Sequence, residues 1–285
     1  MNDLQKEEFR LLKVFVSVCE KYDIPYFLVC GSALGAVKYG GFIPWDDDAD
    51  VALFRVDYER FLDIAQKELP SDLFLQNCDT DRKTPFIYSK LRSNNTTFIE
   101  KSSSRMDINH GVYIDIFPLD GYPAGKAERR HFELKKQILR RILSSAFYTD
   151  CIYKKLLLYP VRMAILRDRL SFYVKKYCDL VKKASALSSD IICNYGNSPL
   201  KIEYAPREQY GSGAWATFEG LKVRVPEKYD EYLTQKYGDW RAELPPEQQV
   251  GHHYAEVIDL NRPYTDYIEK LPNGKIRIKA LKEHG

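Results

Sequence analysis

Leu4, Leu11, Leu12, Phe15, Val16 and Cys19 recur near a 3.6-residue period, and Asn2 or Asp3 can cap them, so residues 3 to 22 read as an amphipathic helix. A short apolar run from Pro25 to Cys30 follows as the first strand, against which that helix packs. Gly31-Ser32 then leads into a brief helical stretch through Ala33 to Tyr39, ended by Gly40-Gly41. Further strands are predicted at about 49 to 54, 85 to 92 and 111 to 117, and a helix at about 56 to 68 turns Tyr58, Phe61, Ile64 and Ala65 inward.

From about residue 126 to 195 the pattern becomes helical and basic, with Pro160 as a breaker and clusters such as Lys135-Lys136, Arg140-Arg141 and Lys154-Lys155. Residues 214 to 224 read as a two-stranded return, and Pro226 opens a helix that ends at Gly238, with Tyr229, Tyr232 and Tyr237 as core. The expectation is an α/β (α+β) chain. Its mixed-sheet core lies at 1–125, a basic helical subdomain at 126–200, a part completing the core at 201–262, and a polar basic tail at 263–285. No internal repeat or low-complexity tract interrupts this order.

Composition narrows the classes. The chain has 285 residues, 45% hydrophobic and 29% charged, enough for a proper core, and its net charge of +3 gives no general attraction to polyanions, so nucleic acid is not expected as a partner. Cys19, Cys30, Cys78, Cys151, Cys178 and Cys193 are scattered, without zinc spacing, and suit a reducing cytoplasm. Neither a leader-like N-terminus nor about 18 unbroken apolar residues occurs, so a cytoplasmic protein without a membrane span is expected. The basic, partly apolar run from Leu134 to Lys176, with Leu156-Leu157-Leu158-Tyr159-Pro160, reads either as a solvated basic face or as a peripheral contact with anionic membrane on its inner face.

The chemistry centres on Asp46-Asp47-Asp48-Ala49-Asp50. Asp48 and Asp50 open a strand, whose period of two puts both carboxylates on one face, roughly 7 Å apart along the backbone. Two such carboxylates repel unless a cation joins them, and Mg²⁺, or Mn²⁺ in its place, suits them; the plain alternative is a solvated acidic turn. Asp46 and Asp47 precede the alternation and read as supporting residues. Asp115 interrupts the apolar strand Gly111 to Phe117, so it needs a partner: a shared metal, an attacking hydroxyl's proton, or a salt bridge to Lys90 or Arg92. Before the short helix, Ser32 can act as its N-cap and Gly31 lets a phosphate approach the backbone amides.

A Gly-Ser turn, a short helix, Asp-x-Asp on the next strand and a third acid on a later strand together resemble the nucleotidyltransferase (polymerase β-like) fold. The stretch Gly31-Ser32-Ala33-Leu34-Gly35-Ala36-Val37-Lys38 through Gly41-Phe42-Ile43-Pro44-Trp45-Asp46-Asp47-Asp48-Ala49-Asp50-Val51 resembles the LicD family more closely. Lys90-Leu91-Arg92 with Asn95-Thr96-Thr97, His110 to Asp120, and Phe218-Glu219-Gly220-Leu221 to Gly251-His252-His253 extend the resemblance over most of residues 20 to 253. Family members transfer phosphocholine, or related phospho-alcohols such as ribitol phosphate in the fukutin relatives, from CDP-activated donors to glycans.

The resemblance implies a nucleotidyltransferase-like catalytic core and a Mg²⁺-dependent phosphotransferase. CDP-choline or a related CDP-alcohol would be the donor, and a cell-surface glycan precursor (teichoic acid, lipopolysaccharide or capsule), possibly lipid-linked, the acceptor. It makes Asp48, Asp50 and Asp115 the metal and catalytic residues, and Gly31, Ser32, Lys38, Arg92, His252 and His253 the donor contacts. The competing readings are a nucleotidyltransferase that releases pyrophosphate, transfer of ribitol, glycerol or ethanolamine phosphate, and an inactive scaffold.

Overall fold

The first helix begins on a cap set by its own sequence. In the computed structural model, helix α1 (Asp3–Lys21) starts on a capping box in which Asn2 Oδ1 accepts from the Gln5 amide at 2.8 Å and Gln5 Oε1 accepts from the Asn2 amide at 3.0 Å. Its buried side, including Leu11, Leu12, Phe15 and Cys19, joins the main core, where Phe15 meets Tyr26 and Phe61 edge-on or tilted. The structure describes residues 1–147, 160, 169–186, 188–196, 202–251, 254–271 and 276–279.

Strand β1 (Phe27–Leu28) is shorter than the predicted Pro25 to Cys30. The reason is Cys30, whose φ of 51° is left-handed and turns the chain at once into helix α2 (Cys30–Leu34), continued by one wide π-helical turn over Gly35–Tyr39. Strand β2 (Asp50–Phe54) and helix α3 (Arg55–Glu68) follow as expected, with Phe61 and Ala65 fully buried. Next come β3 (Leu73–Gln76), β4 (Ser89–Ser93), β5 (Thr97–Glu100) and the long β6 (Tyr113–Pro123).

The main sheet runs β1-β2-β6-β4-β3, with β2 and β6 parallel and the remaining pairs antiparallel. This is a mixed α+β architecture. Both faces of the centre are covered, so β2 is buried at every position. That burial hides the period-two alternation a half-exposed strand would show.

Beyond β6 the expected all-helical stretch holds only in part. Helices α4 (Lys126–Ser144) and α5 (Leu170–Ala186) pack together, but Ser188–Cys193 is a strand, β7, which pairs with the end of β6 and with β8 (Tyr204–Pro206). Ile191-Ile192 is a β-branched pair, a signal outweighed by the basic helical pattern before it. Phe132, Val174, Tyr177, Val181 and Tyr195 form a second core cluster there. Much of the run expected to meet a membrane, residues 148–159 and 161–168, lies outside the described residues.

The return at 214 to 224 is the hairpin β9 (Ala214–Phe218) and β10 (Leu221–Val225), and helix α6 (Tyr229–Tyr237) ends at Gly238 in a positive-φ conformation. Only Tyr232 of its three predicted core tyrosines is buried; Tyr229 is exposed, and Tyr237 is partly exposed where it lines a cavity. The hairpin turn clamps the first half of the chain: the Glu219 amide donates to Gly40 O at 2.8 Å, and Glu219 Oε1 accepts from the Phe42 amide at 3.1 Å. A strand at Ala255–Asp259, β11, pairs with β5, and β12 (Ile268–Lys270) pairs with β13 (Ile276–Ile278) inside the predicted polar tail. Among the described residues no helix is long and apolar enough to cross a membrane.

Candidate active site

The turn from β1 into α2 and the loop into β2 are held together by backbone and hydroxyl bonds. The Val29 amide donates to Asp50 O at 3.1 Å, and the Asp50 amide donates to Ser32 Oγ at 2.8 Å. Ser32 therefore does not cap the helix, whose N-cap is Val29 without a side-chain bond. Its hydroxyl instead fixes where β2 begins, and with it the direction of Asp50.

Asp48 precedes β2 by two residues and lines the same cavity as Asp50. Asp46 lines it too, hydrogen-bonded to Asp48, and a Cβ on Gly31 would stand 2.5 Å from Asp46 Oδ2, so any larger residue there would push the Asp46 carboxylate aside. Burial and the charges of Asp48 and Asp47 push the Asp46 carboxyl up from the usual carboxylate range. Gln5 steadies this loop from α1, its amide nitrogen donating to Asp46 O at 3.0 Å and Ile43 O at 3.3 Å.

Asp115 is the direct neighbour of Asp50 across the parallel β2–β6 pair, and of Lys90 across β4–β6. Residues in register on one sheet face stand close together, and like charges there destabilise one another. Lys90 relieves that conflict, with Nζ 2.7 Å from Asp115 Oδ1 and the pair almost wholly buried. Of the alternatives left open by the sequence, Asp115 thus has its lysine partner in this structure.

The cavity measures about 480 Å³, within the range of small-molecule sites. Gly31, Asp46, Asp48 and Asp50 form one side, and Tyr39, Trp45 and Tyr237 supply aromatic walls, Tyr39 and Trp45 meeting edge to face at 6.2 Å. Two lysines reach it among the described residues. Lys38 Nζ is held at its rim by Ala242 O at 2.8 Å and Glu243 at 3.4 Å, whereas Lys236 comes in from α6 and pairs with Glu203.

Arg92, expected as a phosphate contact, lies elsewhere. Its side chain is fully buried, donating to Gln76 Oε1 at 2.6 Å and Gly111 O at 2.7 Å and stacking 4.6 Å from the centre of the Tyr113 ring. An interior strand position sends this side chain into the fold, where Nε and Nη1 are paired and Nη2 has no hydrogen-bond partner among the described residues. His252 and His253 lie outside the described residues.

Gln5, Glu203 and Lys236 were missed by sequence reasoning, since each comes from a segment remote from the acidic run, and Tyr237, expected in the core, instead lines the cavity.

Among the described residues no three His, Cys, Asp or Glu side chains are grouped to hold a metal ion as they stand. Asp48 and Asp50 meet a smaller demand, because Mg²⁺ is commonly held by one or two carboxylates and takes its other ligands from water and substrate phosphates. The crowding of three carboxylates on one wall, with one pushed toward its neutral form, is the electrostatic condition a bound cation relieves.

A family model described as "LicD/FKTN/FKRP, nucleotidyltransferase domain" matches residues 23–151, a span that includes Gly31, Asp48, Asp50 and Asp115. The lipopolysaccharide cholinephosphotransferase LicD of Haemophilus influenzae is 28% identical over 266 residues, covering 88% of this chain and 94% of that protein. An uncharacterized protein of Rickettsia prowazekii is 27% identical over 139 residues, covering 42% of this chain and 47% of its own length.

Proposed function

Residues 23–151 match the LicD family's nucleotidyltransferase-domain model, and from that premise we propose that the chain transfers phosphocholine from CDP-choline to a hydroxyl of a lipopolysaccharide-type glycan, releasing CMP. One observation carries this reading: Gly31, Asp48 and Asp50, from either side of a turn, line one cavity. A glycine backbone beside two carboxylates suits a diphosphate that arrives with a divalent cation. The name of the Haemophilus influenzae relative supports both the group transferred and the class of acceptor.

Asp48 and Asp50 would hold the Mg²⁺ ion, whose chemistry there would be to neutralise charge on the donor phosphates. Gly31 leaves room for the diphosphate, and Ser32 keeps Asp50 directed at it. The acceptor hydroxyl attacks the phosphorus distal to cytidine. Its new O–P bond forms as the bond to CMP breaks, and its proton passes through water to Asp115, which stands behind the cavity wall beside Asp50. Lys90 orients that carboxylate. No covalent enzyme intermediate is needed.

At the mouth, Tyr39, Trp45 and Tyr237 with Asp239 offer aromatic faces and negative charge, an environment suited to a trimethylammonium group. On helix Lys126–Ser144, exposed Leu134 and Ile138 lie among Arg130, Lys135 and Arg141. That face supports a peripheral approach to anionic lipid from the cytoplasmic side, which salt-sensitive co-sedimentation with anionic vesicles tests.

The direct test supplies the protein with Mg²⁺, a lipopolysaccharide acceptor and CDP-choline, CDP-ethanolamine, CDP-glycerol or CDP-ribitol. CMP release fastest from CDP-choline is expected. Pyrophosphate released from CTP, with no CMP from any CDP-alcohol, overturns the proposal in favour of nucleotidyl transfer.

A further inference from the structure

Glu203 and Lys236 form a buried ion pair, with side chains only 2% and 4% exposed, yet both reach the cavity wall. They come from segments 33 residues apart, the residue before β8 and the last turn of α6, and both lie beyond the segment matched by the family model. Lys236 Nζ also stands 3.7 Å from Cys30 Sγ, at the residue that turns the chain into Gly31. The same helix supports that turn a second time, since the Cys30 amide donates to the Tyr232 hydroxyl at 2.9 Å.

Stability alone does not account for this pair. Desolvating two charges costs about as much as their attraction returns, and an apolar pair of similar volume often does as well or better. An ion pair at a cavity wall has another use: it keeps a cation in place until an anion arrives. Of the two lysines on the wall among the described residues, Lys38 is bound to carbonyls at the rim, whereas Lys236 sits beside the Cys30-Gly31 turn. Burial opposes its charge, but Cys30, Glu203 and Asp50 outweigh it and hold Lys236 above the ordinary lysine range, so it arrives charged.

We propose that Lys236 is the cation that contacts the phosphates of the donor, and that Glu203 is a positioning residue that holds its ammonium at the wall while the cavity is empty. This rests on the reading of the cavity as a nucleotide diphosphate site. Asp48 and Asp50, which line the same cavity, would hold the divalent cation, so the diphosphate would meet two positive charges and the Gly31 backbone there.

Wild type, Lys236→Met, Lys236→Arg, Glu203→Gln and the double Glu203→Gln/Lys236→Met variant are compared for donor KM and kcat by CMP release, and for binding of inorganic pyrophosphate with Mg²⁺. Loss of one charge-assisted contact predicts a rise of about tenfold or more in KM and in the pyrophosphate Kd for Lys236→Met. Lys236→Arg recovers most of it. The double variant removes the unpaired buried carboxylate, restoring thermal stability but not affinity. It replaces Lys236→Met should that variant fail to fold.

Wild-type KM and pyrophosphate Kd in the lysine-free variants overturn the inference while leaving the transferase reading intact. If wild type releases no CMP from any CDP-alcohol, the transferase reading fails, and pyrophosphate binding decides the inference: a tenfold loss in the lysine-free variants supports it, and unchanged binding overturns it.

Discussion

Lys90 Nζ lies 2.7 Å from Asp115 Oδ1 on the neighbouring strand, and the same ammonium stands 3.4 Å from the centre of the Tyr113 ring. Tyr113 and Asp115 are two apart on β6, so they share the face that Lys90 meets. Phe86 adds a second ring at 4.8 Å. A buried ammonium with aromatic faces and one carboxylate around it is paired well enough to stay, and costly to leave unpaired.

Removing one partner should therefore cost far more than removing both. Lys90→Met is expected to destabilise the fold by about 3–5 kcal/mol, the range for breaking a buried pair, and Lys90→Met/Asp115→Asn should recover most of the loss. Urea denaturation of the two variants checks this; equal losses would mean that the lysine contributes mainly through its packing on Tyr113.

The acidic residues divide by role. Asp48→Asn and Asp50→Asn should each lower CMP release by about 10²–10³-fold, the order for losing one aligned electrostatic group, with little change in folding. With CDP-choline present, Mg²⁺ is expected to raise the melting temperature of the wild type, and both variants should abolish that rise. Asp46→Asn should keep part of it, because Asp46 is the carboxyl pushed toward its neutral form. Differential scanning fluorimetry with and without Mg²⁺ separates the three.

The acidic run and the glycine turn were legible because their chemistry is local: Gly31 to Asp50 is one short stretch, and its spacing alone suggested carboxylates near a phosphate turn. Helices α1, α3 and α6 were legible from period and caps. Lys90 was open in the sequence as one of two partners for Asp115, and only strand register chose it over Arg92. Lys236 and Glu203 were not legible, since nothing in their neighbours announces that α6 and β8 converge under Cys30. The β7 strand was masked by its basic helical surroundings, because pairing with β6 overrides local pattern.

The hairpin clamp should behave as one unit with the Gly40-Gly41 turn. A Cβ on Gly41 would fall 2.2 Å from Glu219 Oε1, the atom that accepts from the Phe42 amide. Glu219→Ala is expected to cost about 1–3 kcal/mol by leaving that amide without its acceptor. Gly41→Ala should cost less in the Glu219→Ala background than in wild type, and a double-mutant cycle in urea reads the coupling.

His110 gives the fold an acid sensitivity of known sign. Burial, and then the charge of Arg92, lowers its imidazole from 6.5 to about 4. The folded protein thus keeps it neutral while the unfolded chain protonates it below about 6.5. Its contribution is fully present above that pH and is lost as pH falls toward 4. Between pH 7.5 and 5 the loss amounts to about 2 kcal/mol. His110→Gln should lose correspondingly less stability over the same interval, and parallel pH dependence in the two proteins would exclude His110 as the source.

The aromatic walls bear on which alcohol is carried. Tyr39 and Trp45 stand edge to face at one end of the π-helical turn and its loop, and Tyr237 faces the same cavity from α6. A trimethylammonium group gains from ring faces through its charge, about 0.5–2 kcal/mol per favourable contact, whereas glycerol and ribitol have no charge to offer. Trp45→Ala should therefore raise the KM for CDP-choline roughly 2- to 30-fold. It should leave the KM for CDP-glycerol or CDP-ribitol nearly unchanged wherever those donors turn over. Trp45→Phe, which keeps a ring, should fall between. An equal rise for all donors would mean that Trp45 stacks on the cytidine base instead, since every CDP-alcohol shares that part.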